Sequence, residues 1–320
     1  MTDKPGLLQI GNVTDVMRER FEAEFAVTKL FDQEDRATFL SERGAGFVAV
    51  ATDGHWGVPE DVAAALTNLK VVSSYGVGYD AIDAPAFAER GILVAHTPDV
   101  LNDEVADTAI MLWLAVSRRL IVADRWVREG RWEAEGNMPL TRSVQNRTVG
   151  IVGYGRIGQT IAARAGAFGA RILYHARSKK DAPGEFYPDL KEMAAEADVL
   201  VAITPGGPAT RHLVSAEVIA ALGPEGILIN VSRGSVVDEP ALVAALQEGR
   251  LGGAGLDVFD AEPKVPDALK SMEHVVLAPH VGSATVETRA AMGQLVCDNL
   301  SQFLKDGKVL TSVPETRHLM

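Results

Sequence analysis

Thr148-Val-Gly-Ile-Val-Gly-Tyr-Gly-Arg-Ile-Gly158 is the stretch on which the reading of this chain turns. A β-branched run, Val149 to Val152, meets Gly153-x-Gly155-x-x-Gly158, and Gln159 to Phe168 then reads as an Ala-rich helix. Strand, glycine turn and helix in that order lift the motif above a chance glycine pattern. Gly153 permits the tight turn, Gly155 lets a pyrophosphate approach the backbone, and Gly158 lets helix and strand pack closely. The phosphates would rest on the free N–H groups of the helix N-terminus, from Tyr154 through Arg156 and Ile157. The expected ligand is a dinucleotide.

Composition bounds the rest. A length of 320 residues exceeds one ordinary core and predicts two domains. Hydrophobic content of 47% with 23% charged residues is that of a soluble globular protein. The longest apolar run, Ala109 to Val116, falls far short of the ~20 residues of a membrane helix, and Met1-Thr-Asp-Lys-Pro5 carries no secretory pattern, so a cytoplasmic location is expected. The single cysteine, Cys297, excludes an internal disulfide and a cysteine-based metal site; no metal is expected. A net charge of −12 argues against nucleic acid or an anionic membrane as partner, so an anionic ligand must find a local cluster of positive charge.

Short apolar runs alternate with helical segments from the start. Leu7–Gly11, Ala26–Leu30, Phe47–Thr52, Val71–Tyr75 and Ile92–His96 read as strands, with amphipathic stretches near Val13–Glu24, Gln33–Ser41, Pro59–Leu66 and Ala84–Arg90. Thr97-Pro-Asp99 breaks the series. A long helix then starts at Asn102 or Asp103, and Ala123–Trp132 reads as a second. The glycine turn opens another alternating series, with strands at Val149–Val152, Arg171–His175, Val199–Thr204, Gly226–Val231, Gly255–Val258 and Val275–Ala278, and a last helix at Val286–Leu304. The fold class is α/β: two doubly wound domains with parallel sheets.

Four strand ends carry chemistry. After Arg171–His175, an NAD-preferring site would place a carboxylate to bond the ribose 2′-hydroxyl. Here Ala176-Arg177-Ser178-Lys179-Lys180 follows instead. Arg177 can fork onto a 2′-phosphate and Ser178 can donate to it, which points to NADP; Lys179 and Lys180 alone would be a solvated basic turn. Asn230-Val-Ser-Arg-Gly234 sets Arg233 past a buried strand, where it grips a carboxylate or closes a structural ion pair. Leu256-Asp-Val-Phe-Asp-Ala-Glu-Pro263 offers Asp257 and Glu262 on an acidic loop, and Leu277-Ala-Pro-His-Val-Gly-Ser283 places His280 as an acid/base or a structural histidine. None of these three decides its reading alone.

Taken together, the chain resembles the D-isomer-specific 2-hydroxyacid dehydrogenases over nearly its whole length. Tyr75-Gly-Val-Gly-Tyr-Asp-Ala-Ile-Asp83, Thr97-Pro-Asp-Val-Leu-Asn-Asp-Glu-Val-Ala-Asp107, the glycine turn, Asn230–Gly234, Asp257–Pro263 and Pro279–Ser283 carry the resemblance. Arg177-Ser178 and Thr204-Pro-Gly-Gly-Pro-Ala-Thr-Arg-His212 look like the NADPH-preferring glyoxylate/hydroxypyruvate reductase branch. The resemblance implies that His280 protonates the carbonyl oxygen of a 2-oxoacid as hydride arrives, that Glu262 orients the ring, and that Arg233 holds the carboxylate and carbonyl. It further implies that the N–H groups of Val77 and Gly78 receive the carboxylate and that Asp257 meets the nicotinamide carboxamide. Thr204, Pro205, Thr210, Val231, Ser232 and Gly282 are expected to complete the cofactor site, as are Tyr154, Arg156, Ile157 and Ala176 in the two turns. Family members that oxidise formate carry glutamine in place of Glu262, so the glutamate argues for an alcohol/ketone couple.

His55 and Tyr75 are the candidate specificity residues, alongside Trp56 and Trp132; for these, packing is as good a reading as substrate contact. The resemblance implies a discontinuous substrate domain, residues 1–98 and 288–320, around a Rossmann cofactor domain at 99–287, with the active site in the cleft between them. It also implies a homodimer formed through residues 101–140. The expected activity is NADPH-dependent reduction of glyoxylate or hydroxypyruvate. Reduction of hydroxyphenylpyruvate or 2-ketogluconate is the alternative within the family, and a dinucleotide-sensing corepressor the alternative outside enzymology.

Overall fold

The computed structural model describes residues 4–320. It divides into two compact units, one formed by the chain up to Leu101 together with Thr285 onward, the other by Asn102–Ala284.

The first unit is a five-stranded sheet of β1 (Gly6–Gln9), β2 (Ala26–Lys29), β3 (Phe47–Asp53), β4 (Val71–Tyr75) and β5 (Leu93–Ala95). Every pairing is parallel, in the order β2-β1-β3-β4-β5. Because strand side chains alternate between faces, β1, β3, β4 and β5 each feed two cores. Leu8, Val50, Val72 and Val94 enter one, and Leu7, Ala49, Val71 and Leu93 enter the other. The helix Val286–Asp306 closes the second face with Val296, Cys297 and Leu300, and Thr285 caps its start through the N–H of Thr288. Such two-sided burial is what makes parallel strands read as continuous apolar runs.

The second unit is a seven-stranded parallel sheet. Its strands are β6 (Thr148–Val152), β7 (Arg171–His175), β8 (Glu185–Phe186), β9 (Val199–Ala202), β10 (Ile227–Asn230), β11 (Gly253–Leu256) and β12 (Val275–Leu277). The order is β12-β11-β10-β9-β6-β7-β8. The chain winds outward from β6 through β7 and β8, then returns to build β9 on the opposite side of β6. That reversal opens a crevice at the carboxyl end of β6, where the glycine turn begins.

Differences from the sequence-based boundaries have local causes. β11 begins at Gly253 rather than Gly255, because its glycines carry no β signal and serve packing instead. A Cβ on Gly255 would lie 2.9 Å from Leu112 Cβ and 2.8 Å from Ile229 Cδ1, and one on Gly253 would lie 2.8 Å from Val116 Cγ1. The glycines let the helix Asn102–Ser117 settle directly onto the sheet. The helix expected over Ala123–Trp132 is two, Leu120–Arg128 and Arg131–Glu135, separated where Gly130 adopts φ +70°. The two-residue edge strand β8 was not anticipated. No helix among the described residues is long and apolar enough to cross a membrane.

Replacing Gly255 with alanine should lower stability by about 1–3 kcal/mol through overpacking, read as a fall in Tm. An unchanged Tm would mean that the helix has room to withdraw.

Candidate active site

The turn after β6 is shaped by what its glycines exclude. Gly153 sits at φ +101°, and a Cβ on it would fall 2.5 Å from Ile203 O and 2.9 Å from Thr204 Cγ2. A Cβ on Gly158 would overlap the carbonyl oxygen of Gly153, so the helix Arg156–Gly166 leaves the strand as tightly as backbone allows. Gly155 differs: among the described residues, nothing beyond its chain neighbours lies within 4 Å of its Cβ position. The helix that it precedes has no side-chain cap, and Thr204 Oγ1 is buried with no hydrogen-bond partner among the described residues. An open backbone face, uncapped N–H groups and an orphaned hydroxyl are what a phosphate-bearing dinucleotide would satisfy. The cradle fits the expected cofactor. Nearby, Thr210 Oγ1 donates to Pro205 O at 2.7 Å and stiffens that loop.

After β7 the chain turns through Ala176, Arg177 and Ser178. Arg177 is exposed, with no side-chain hydrogen bond or ion pair among the described residues. Lys180 Nζ lies 3.5 Å from Ser178 Oγ. Tyr154, although part of the glycine turn, sends its ring into the core, 2% exposed; only its backbone is available to a ligand.

Three adjacent strands, β10, β11 and β12, deliver the remaining groups. Past β10, Asn230 organises the turn: its Oδ1 accepts from Ser232 N at 3.1 Å and from Ser232 Oγ at 2.8 Å, and its Nδ2 donates to Arg233 O at 2.9 Å. The hydroxyl of Ser232 is thereby spoken for. Arg233 donates through Nη1 to Ser232 O at 2.8 Å. A Cβ on Gly234 would collide with the backbone of Phe259 and Asp260, so the Arg233 turn lies flush against the loop that follows β11.

That loop carries Asp257 and Glu262. Asp257, 2% exposed, accepts from Val281 N at 2.7 Å and Gly282 N at 2.8 Å, while its own carbonyl accepts from His280 N at 2.8 Å. Burial pushes its carboxyl above the usual range, against those two donors. His280 itself takes φ +54°, a conformation costly for a non-glycine residue; the three bonds from Asp257 hold it there. Its Nδ1 then lies 2.8 Å from Glu262 Oε2. Glu262 Oε1 accepts from Phe259 N at 3.0 Å. Burial opposes the charge on Glu262, but the bonds from His280 and Phe259 and the positive charges of His280 and Arg233 prevail, and its carboxyl stands below the usual range. An ionised carboxylate only accepts, so Nδ1 carries hydrogen and Nε2 is the nitrogen left for chemistry. The structure thus brings Arg233, Asp257, Glu262 and His280 into one connected group.

Val77, Gly78, His55 and Tyr75 belong to the other unit. The carbonyl of Gly76 accepts from Thr97 N at 2.8 Å, and that of Val77 meets His96 Nδ1 at 3.0 Å. The N–H groups of Val77 and Gly78 have no partner among the described residues. A loop with its carbonyls tied and its N–H groups free suits an anion. The Tyr75 hydroxyl donates to Arg289 O at 2.9 Å, and burial pushes its pKa up. His55 and Trp56 form a turn over Asp53, whose Oδ1 accepts both their N–H groups, and Trp56 is exposed edge-on to Phe31.

Sequence reasoning gave no role to Asn230 or His96. Each holds a candidate site loop by its backbone, and the one signal is position, a polar side chain at the end of a buried strand.

The site can be set beside known proteins. Residues 110–282 match the family model described as D-isomer specific 2-hydroxyacid dehydrogenase, NAD binding domain. The chain is 44% identical to hydroxyphenylpyruvate reductase of Plectranthus scutellarioides, over 96% of this chain and 98% of that protein. It is 43% identical to glyoxylate/hydroxypyruvate reductase A of Arabidopsis thaliana, over the same shares. The crystal structure of an NADPH-dependent glyoxylate/hydroxypyruvate reductase from Sinorhizobium meliloti, in complex with NADP and malonate, superposes with a TM-score of 0.93 at 45% identity, covering 98% of each chain. With its glycine turn and linked Arg, Glu and His at strand ends, this chain belongs to the D-isomer-specific 2-hydroxyacid dehydrogenase family.

Proposed function

We propose that this protein is an NADPH-dependent reductase of a small 2-oxoacid, glyoxylate or hydroxypyruvate, yielding the D-2-hydroxyacid. The observation that carries the reading is the His280–Glu262 pair, whose geometry leaves Nε2 as the only ring nitrogen able to act. The Asn102–Ala284 unit would hold the cofactor, through Gly153–Gly158, Thr204, Pro205, Thr210, Val231, Ser232, Asp257 and Gly282; the other unit would supply substrate contacts. Bound there, NADPH supplies the hydride.

His280 donates a proton from Nε2 to the substrate oxygen as negative charge develops on it. Glu262 fixes the ring through Nδ1. Arg233 holds the substrate carboxylate and carbonyl, positioning the group and stabilising the developing charge. The free N–H groups of Val77 and Gly78 add donors to the carboxylate. For Asp257, the hold on the His280 turn is a role beside the proposed contact with the carboxamide, since each carboxylate oxygen keeps a further lone pair. Arg177 and Ser178 grip the 2′-phosphate, which supports NADPH because no carboxylate stands at that strand end to repel it. The likeness to an NADPH-dependent reductase supports the same choice. Reduction of hydroxyphenylpyruvate is the second reading, favoured by the Plectranthus relative.

We also propose a homodimer through residues 101–140. Met111, Leu120, Ile121, Val127, Trp132 and Leu140 all expose apolar surface within that segment, more than a solvated face needs. Sedimentation equilibrium should return twice the chain mass, and a monomer at micromolar concentration would overturn the assignment.

Rates across a panel of 2-oxoacids with NADPH and NADH test the function directly, and preference for hydroxyphenylpyruvate would replace the leading substrate. Arg177→Ala should raise the KM for NADPH about tenfold or more, by loss of charge-assisted bonds, and leave that for NADH nearly unchanged. His280→Ala should lower kcat by a factor of about 10²–10⁴ with nucleotide binding kept. Glu262→Gln should lower kcat by about tenfold or more with nucleotide binding kept, because the amide no longer offers two acceptor oxygens to fix the ring through Nδ1. A kcat that stays in place would leave Glu262 without its orienting role.

A further inference from the structure

We propose that Tyr174 is a positioning residue for the cofactor 2′-phosphate, acting through the turn that bears Arg177 and Ser178. The proposal rests on the NADPH reading above. Tyr174 ends the central part of β7 with its ring fully buried and stacked on Tyr154, centroids 4.1 Å apart and planes 15° from parallel. Its hydroxyl does two things at once: it accepts from Lys180 N at 2.9 Å and donates to Lys180 O at 3.2 Å. The Tyr154 hydroxyl donates to Pro183 O. Gly184, at φ +117°, lies against both rings, its Cβ position 3.2 Å from the Tyr154 hydroxyl and 3.2 Å from Tyr174 Cδ1.

The segment from Arg177 to Gly184 has no helix or strand of its own, so something else must define its path. Two tyrosines form a platform to which it is fastened at Lys180, Pro183 and Gly184. Arg177 and Ser178 have exposed side chains, and where their donors point is inherited from the backbone between His175 and Lys180. A backbone turn held in place before the ligand arrives loses less freedom on binding, and it fixes the point from which the guanidinium reaches out. Losing the Tyr174 hydroxyl removes the fastening nearest to Arg177, while a phenylalanine ring preserves the stack. Because Lys180 is exposed, water can take over its backbone groups. The loss is therefore one of aim more than of stability.

The test measures dissociation constants for NADPH and NADH by nucleotide fluorescence, with the full chain as wild type, Tyr174→Phe, Arg177→Ala and the double variant. Tyr174→Phe should weaken NADPH about tenfold, the order of one misaligned charge-assisted bond, with NADH nearly unaffected. On the Arg177→Ala background the same change should have no further effect, since the two act as one unit. Equal weakening of both nucleotides, no change in either, or a full effect persisting without Arg177 would each overturn the proposal. Should Tyr174→Phe fail to fold, Tyr154→Phe, which frees Pro183, should reduce the NADPH-to-NADH preference, and an unaltered preference would overturn it. A wild type that binds the two nucleotides equally overturns the NADPH reading and the proposal with it. One that discriminates, with Tyr174→Phe discriminating as well, overturns the proposal alone.

Discussion

A buried carboxylate sets the geometry of the site. Asp257 spends both side-chain oxygens on the N–H groups of Val281 and Gly282, and its carbonyl on His280 N. These bonds hold His280 in a left-handed conformation that it would not adopt unaided, and in that conformation Nδ1 reaches Glu262. The energetic cost is twofold, a charge taken from water and a strained backbone. Both are tolerable because β11 and β12 are adjacent strands whose ends meet there. Without Asp257 the imidazole would have no fixed partner, and the proton it carries no fixed direction.

The same economy recurs at each strand end. Asn230 braces Arg233, His96 braces Val77, and Tyr174 braces the turn at Arg177. In every case the group that would meet the ligand sits on a loop, and a buried or half-buried polar side chain at the strand terminus ties that loop to the sheet. Parallel sheets favour this arrangement, since all their carboxyl ends lie on one edge. In a chain of net charge −12, where carboxylates outnumber cations, such local order matters: an anion would be drawn only where a few donors are aimed together.

How much of this is readable in the sequence follows from what each element is made of. Strands built largely from Val, Ile and Leu, such as β9 and β10, announce themselves within a residue or two. β11 does not, because Gly253 and Gly255 are there for Leu112 and Val116, partners more than a hundred positions away. The helices Leu190–Glu196, Ala216–Leu222 and Glu239–Gln247 are short and take no part in any motif, so they are harder to read than the strands between which they lie. The side chains proposed to meet a ligand show through their motifs; the residues that hold them show only once the fold brings loops side by side. Tyr154 illustrates the limit. Its position in the glycine turn suggests ligand contact, yet its ring serves the core.

Gly234 shows how a position without chemistry acquires the weight of one that has it. Its missing side chain is the space through which the backbone of Phe259 passes, and Phe259 N–H is a donor to Glu262. Any methyl group at 234 would press on the peptide that steers the carboxylate, two steps removed from the imidazole. A survey of substitutions scored by turnover would therefore rank this glycine beside Glu262 and His280, although it has no side chain to bind or transfer anything; what it contributes is room.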